Sequence, residues 1–258
     1  MSSCSPCTFT YAQTHPRQQL DLYEPATSAP PPHPLLIWLH GGAWLSGSRL
    51  DVPAAILALR SRGYAIASIG HRLTSDPGYT RTSIPAPLAD AAAAVRWLRL
   101  HADNTSTLPH RLDTTRFISA GFSSGAHLAA MLALAHATPS TPPLIDLGAE
   151  STVDGFIAIS APTELNALLT DRPSPPTCRA LWRPDPYYCN DASPGGSTCF
   201  IGRLLDCDSQ ASCAPYTRAV SPLTYTSSSA SSASSASSAS SARSASSASV
   251  PPSLLLHG

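Results

Sequence analysis

The chain predicts an α/β fold, a mostly parallel central sheet with helices on both faces, and two observations carry that prediction. Short apolar runs such as 35–39 (LLIWL) and 116–122 (RFISAGF) alternate with longer stretches of helical composition such as 87–101 and 124–137. Strands covered on both faces read as such runs, and strands alternating with helices imply a parallel sheet. The 258 residues, 43% of them apolar, suffice for a single large core.

Taken in order, the expected strands are 19–23 (QLDLY), 35–40 (LLIWLH), 64–71 (YAIASIGH), 116–122, 153–160 (VDGFIAIS) and 253–257 (SLLLH), each a short apolar run. The expected helices are 53–62, the Ala- and Leu-rich 87–101, and 124–137. The last expected strand, with Leu254, Leu255 and Leu256, would lie at an edge of the sheet. An uncovered apolar edge is a template for association.

The most chemical segment is Gly121-Phe122-Ser123-Ser124-Gly125. A bare Gly-x-Ser-x-Gly is common, but this one lies between a buried-strand pattern and a helix pattern. Strand, sharp turn and helix form a nucleophile elbow, in which small flanking residues let the turn tighten and lift the serine hydroxyl clear of the sheet. Ser123 is therefore the candidate nucleophile. About eighty residues earlier, the run 35–39 ends in His40-Gly41-Gly42-Ala43-Trp44. Glycines there let backbone amides approach a ligand. The amides of Gly41 and Gly42, with that of Ser124 at the helix start, are candidate donors to the oxygen that turns negative when an acyl carbonyl is attacked. One such donor stabilises the transition state by about 3 kcal/mol.

With those residues in place, the chain resembles an α/β-hydrolase of the carboxylesterase and lipase kind, in its feruloyl-esterase-like (BD-FAE-like) branch. The resemblance runs through QQLDLYEP at 18–25, HGGAW at 40–44, SIGHRLTSD at 68–76, PAPLADAAAAVRWLRL at 85–100 and GFSSGAHLAA at 121–130. It resumes at AVSPLTY (219–225) and PPSLLLHG (251–258). It implies a serine esterase in which Ser123 is the nucleophile and Gly41, Gly42 and Ser124 stand at the oxyanion positions. The family's order is serine, then Asp or Glu, then His, with the acid a few residues after the strand that ends in His-Gly. The resemblance therefore implies that acid and histidine are absent from this chain and would fall beyond Gly258, the sheet lacking its last strand or strands and helix. Loss of such a pair costs about a millionfold in turnover.

Other residues are weaker candidates for the missing roles. His71, standing where the family often has a tyrosine before Arg72-Leu73, ends an expected strand, where functional groups of open α/β sheets gather, but has no evident acid partner. His127 matches the family's packing histidine rather than its base. Asp154, Asp206 and Asp208 read as solvated or capping carboxylates.

Net charge is zero and only 12% of residues are charged, with no basic run, which argues against a nucleic-acid partner. No apolar stretch reaches the roughly 18 residues of a membrane span. One α/β-hydrolase domain is expected over 1–258, carrying two insertions. Residues 170–216 hold Cys178, Cys189, Cys199, Cys207 and Cys213 and read as a lid-like insertion. Their spacing suits disulfides rather than a zinc site, so no metal or other cofactor is expected; disulfides lean toward an oxidising, extracellular setting, and the compartment stays open. Residues 227–249, nearly pure Ser and Ala in a three-residue cycle, read as a disordered loop. Cys4 and Cys7 form a C-x-x-C at the terminus, and residues 1–7 lack the charged start and apolar core of a secretory signal.

Three functions compete at this level: a serine esterase acting on a small-molecule ester, a non-catalytic relic or binding module that keeps the elbow as architecture, and formamide or peptide hydrolysis on the same scaffold. The acyl group is set by the lid-like segment and by aromatics such as Trp44, Trp182, Tyr187 and Tyr188, which read either as packing or as subsite. Trp44 is the candidate substrate contact. The oligomeric state has no signature in the chain.

Overall fold

The computed structural model describes residues 4–79, 85–135, 146–165, 204 and 216–225, and the backbone of 253–256. The insertions expected at 170–216 and 227–249 lie outside the described residues, apart from Leu204 and Tyr216. Within the described residues, seven strands form one sheet in the order β1-β2-β4-β3-β5-β6-β7. They are β1 (Cys7–Thr10), β2 (Gln19–Tyr23), β3 (His33–Leu39), β4 (Ala65–Ile69), β5 (Leu112–Phe122), β6 (Gly155–Ile159) and β7 (Ser253–Leu256). The pairs β1/β2 and β2/β4 are antiparallel; β4/β3, β3/β5, β5/β6 and β6/β7 are parallel. The mostly parallel sheet is thus as expected, with an antiparallel flank that starts at β1. Residues 7–10 (CTFT) carry too little apolar pattern to mark β1 in sequence.

The β3 side chains show how the sheet is covered, since successive residues of a strand point to opposite faces. Leu35, Ile37 and Leu39 join the large core with α2 (Ala86–His101) and α3 (Ser124–Leu134). Leu36 and Trp38 enter a smaller cluster on the other face, packed by Val52, Ile56 and Leu59. That second face is served by α1 (Ala54–Leu57) and the 3₁₀ turn Ala58–Arg62, so the single helix expected over 53–62 is two short pieces. They end at Gly63, whose φ of 88° closes the turn in the left-handed region that glycine adopts without strain. Every residue of α3 is buried, which explains its Ala/Leu composition: a helix buried all round needs no polar face.

A polar network fastens the strand ends to α2. The buried carboxylate of Asp90 on α2 accepts hydrogen bonds from the backbone N–H of Arg72 (2.9 Å), its Nε (2.9 Å) and its Nη2 (2.7 Å), and from Gln18 Nε2 (2.8 Å). Gln18 Oε1 in turn accepts from the amides of Thr14 and His15. Tyr11 donates its hydroxyl proton to the carbonyl of Gly70, 2.7 Å away. The segment leading into β2 and the segment leaving β4 are therefore held to one helix. At the terminus, Cys4 and Cys7 are joined by a disulfide, a pairing that the C-x-x-C spacing alone leaves open.

Asp90→Ala leaves a guanidinium, two-thirds shielded from solvent, without its carboxylate. Loss of one partner of a buried pair costs about 3 kcal/mol, and the urea-unfolding midpoint should fall accordingly with unchanged slope.

Candidate active site

The site grows from the junction of β5 and α3. Ser123 is the single residue between them, at φ 54° and ψ −121°, a conformation that costs a serine about 1–3 kcal/mol and persists only where its surroundings enforce it. Its amide donates to the carbonyl of Ile159 at the end of β6 (2.9 Å), and its carbonyl accepts from the amide of His127 in the first turn of α3 (3.1 Å). The first and last residues of the pentapeptide must be glycine. A Cβ on Gly121 would overlap the backbone of Gly125 and come 2.7 Å from the nitrogen of Ala126. A Cβ on Gly125 would overlap the carbonyl oxygens of Leu39 and His40 at the end of β3. The elbow is thus jammed against the strand that leads into the His-Gly-Gly segment.

That contact brings the second motif to the serine. A Cβ on Gly41 would stand 3.0 Å from the carbonyl oxygen of Phe122 and 3.5 Å from the Cβ of Ser123, so the bare backbone of Gly41 lies against Ser123. Gly42 takes φ 118°, followed by Ala43 at 53° and Trp44 at 59°, and the amides of Leu45 and Ser46 both donate to the Gly42 carbonyl. This is a tight left-handed turn on which a tryptophan would not settle unaided. Thr74 holds it with its amide, 2.8 Å from the Trp44 carbonyl, and the Trp44 ring meets the His127 ring edge-on at 5.1 Å.

Among the described residues, the amides of Gly41 and Gly42 donate to no protein acceptor, and Ser124 is the first residue of α3, where the helix itself offers its N–H no partner. Ser123, Gly41, Gly42 and Ser124 are therefore gathered in one place. Trp44 is not exposed beside them: it is 1% accessible and part of the large core, a placement that fits packing rather than a substrate contact. Phe122, which sequence reasoning passes over, is 50% exposed, its ring edge against Gly41. A large apolar residue inside the Gly-x-Ser-x-Gly pentapeptide was the available signal.

The buried histidines hold architecture rather than protons. His127 Nε2 lies 2.7 Å from the carbonyl of Val220, which can only accept, so Nε2 carries the ring proton and ties α3 to the turn Arg218–Val220. Burial pushes His127 down to about 4. Burial, and then the neighbouring His40, push His71 down to about 3, and burial also lowers His40. A base must hold a proton near the working pH, which His71 and His127 do not. Asp154 accepts from the amide of Phe117 (2.9 Å) and links β5 to β6; Asp206 and Asp208 lie outside the described residues. Among the described residues no group of three or more His, Cys, Asp and Glu could hold a metal ion, and no helix is long and apolar enough to cross a membrane.

These depressed values set the acid response. An unfolded imidazole titrates near 6.5, so between about pH 6.5 and 4 the unfolded chain takes up protons that folded His71 and His127 refuse. Stability is then fully present above that window and falls as pH drops through it, by about 1.4 kcal/mol per pH unit for each histidine. Urea unfolding between pH 7.5 and 4.5 should show this decline, and His127→Gln should remove one such increment from the slope.

The chain is similar to several known proteins. Esterase LipC of Mycobacterium tuberculosis is 29% identical over 145 residues, 56% of this chain and 34% of LipC. The non-reducing polyketide synthase mapC of Penicillium brevicompactum is 28% identical over 183 residues, 69% of this chain and 6% of the synthase. The chain thus spans about a third of LipC and a small part of the synthase. Among solved structures, a thermophilic esterase from the planctomycete Thermogutta terrifontis superposes with a TM-score of 0.56 at 21% identity, covering 86% of this chain and 66% of that one. A truncated carbohydrate esterase from gut microbiota superposes with a TM-score of 0.61 at 19% identity, covering 87% and 74%. These likenesses establish the fold as that of the α/β-hydrolase esterases. The BD-FAE family matches residues 20–194, more than half of the chain, and the protein belongs to that family.

Proposed function

We propose that this protein hydrolyses carboxylic esters of small molecules through an acyl-enzyme on Ser123. The observation that carries the reading is the strained Ser123 at the β5–α3 junction with the bare backbone of Gly41 against its Cβ. Strain of that kind in a serine is expected where the hydroxyl must be presented rather than buried. The family and the esterases of the same fold support the same chemistry.

In this mechanism Ser123 Oγ attacks the ester carbonyl carbon, its proton passing to a base as the new C–O bond forms. The carbonyl oxygen becomes an oxyanion held by the N–H groups of Gly41, Gly42 and Ser124. Collapse breaks the bond to the alkoxy oxygen, which leaves as the alcohol with that proton, and water then cleaves the acyl-serine ester. Ser123 and the three amides are the groups this reading assigns; the buried His40, His71 and His127 are not proposed as the base, and the proton-accepting pair is left unassigned.

Labelling of the full-length protein by a fluorophosphonate tests the assignment. One label per chain, lost in Ser123→Ala together with about a millionfold of p-nitrophenyl butyrate turnover, is the expected result. Labelling or turnover that survives Ser123→Ala removes Ser123 from the mechanism, and a wild-type protein that neither labels nor turns over favours the binding-module reading. Organophosphorus reagents suit the fold, since esterase 2 of Thermogutta terrifontis is phosphorylated by paraoxon. Turnover of a formamide in preference to the ester would reassign the substrate class. Gly41→Ala, which sets a methyl between Phe122 and Ser123, should lower kcat on the order of a hundredfold.

A further inference from the structure

His71 has no part in the chemistry above, yet its surroundings are unusually specific. It lies two residues beyond β4, as His40 lies one residue beyond β3, and these strands are parallel neighbours with Leu39 opposite Ile69. The two imidazoles stack with centroids 4.3 Å apart and planes 14° from parallel. Each ring's Nδ1 stands 2.9 Å from the carbonyl oxygen of the following residue, Gly41 for His40 and Arg72 for His71. A carbonyl only accepts, so both rings carry their proton on Nδ1. Gly47, at φ 103°, also packs against the His40 ring, where a Cβ would overlap Nδ1. The His40 ring is thus confined by the backbone of Gly47 and by the ring of His71.

The consequence lies in the next peptide. A trans peptide is planar, with its N–H directed opposite to its C=O. When His40 draws the Gly41 carbonyl to itself, the N–H of Gly42 is turned away from His40. The direction of an oxyanion donor therefore depends on the plane of the His40 ring, and that plane depends on His71. His71 is itself anchored, because the adjoining Arg72 is held by three hydrogen bonds to Asp90. Two near-parallel rings do not converge their Nε2 lone pairs on one ion, and with no third ligand among the described residues a metal site is not indicated.

We infer that His71 is a positioning residue for ester hydrolysis: by stacking on His40 it fixes the Gly41–Gly42 peptide and aims the Gly42 N–H at the oxyanion. This rests on the proposed function of Ser123. It assigns His71 a task that needs a flat ring rather than a titrating group.

The test compares His71→Leu, His71→Phe and His71→Tyr in the full-length protein, assayed well below each melting temperature. His71→Leu should lower kcat for p-nitrophenyl butyrate ten- to a hundredfold with KM within twofold. It should weaken an aliphatic trifluoromethyl ketone, to which the serine adds to leave an oxyanion, by the same factor. The corresponding methyl ketone, which binds without forming that oxyanion, should be unaffected. Phe and Tyr, which keep a flat ring, should recover most of both losses. Trifluoromethyl ketone affinity within twofold of wild type in His71→Leu, whatever the melting temperature, overturns the inference and leaves His71 a core residue. Should His71→Leu not fold, the Phe and Tyr variants with nitrogen-15 imidazole spectra of the wild type decide: His40 protonated on Nδ1 supports the inference, and His40 protonated on Nε2 alone overturns it. Ketone binding that persists in Ser123→Ala with equal strength would instead indict the nucleophile assignment.

Discussion

The site depends first on a steric constraint, the contact of Gly125 with the carbonyls of Leu39 and His40 at the end of β3. Backbone meets backbone there, and no side chain larger than hydrogen fits. Gly121 meets Gly125 in the same way one turn away. Because α3 cannot rise off the sheet at this point, the chain must reverse between β5 and α3 within one residue, and that residue is forced to a positive φ. Ser123 occupies it, pinned by its bond to Ile159 on β6 and by the first bond of α3. The strain of the serine is held by the packing of three strands and a fully buried helix.

A second layer of interactions turns this scaffold into a candidate oxyanion site. The turn at Gly42, Ala43 and Trp44 has three successive positive φ values, and beside its own hydrogen bonds from Leu45 and Ser46 it is supported by groups around it. Thr74 holds the carbonyl of Trp44, His127 receives its ring, and His40 holds the carbonyl of Gly41. Thr74 and His71 belong to the segment leaving β4, which Asp90 clamps through Arg72. A carboxylate on α2 thereby bears on the geometry of a glycine turn on the far side of the strand ends. Preorganised backbone donors stabilise a developing charge without reorganising when the reaction occurs, so rigidity of this kind has a catalytic meaning.

Much of the arrangement is legible before the fold is known. The run 35–39 and the buried strand before Gly121 mark β3 and β5, and the pentapeptide between strand and helix patterns marks Ser123. The period of two along β3 is masked because both faces are covered, so the sequence does not tell which side Leu36 or Ile37 takes without the helices in place. The fold divides Leu36 and Trp38 from Leu35, Ile37 and Leu39. Strand β1 was not legible, since four residues containing two threonines and a cysteine depend on pairing with β2 for their conformation. Nor was the stack of His40 on His71, because parallel pairing of β3 with β4 brings together residues far apart in the chain. The available hint was that each ends an apolar run at the carboxyl edge of the sheet.

A crystal structure of the full-length protein after reaction with a phosphonate would test the central claim most directly. The account predicts phosphorus bonded to Ser123 Oγ and its phosphoryl oxygen about 3 Å from the amide nitrogens of Gly41, Gly42 and Ser124. An adduct on another residue, or a phosphoryl oxygen turned away from these amides, would contradict it.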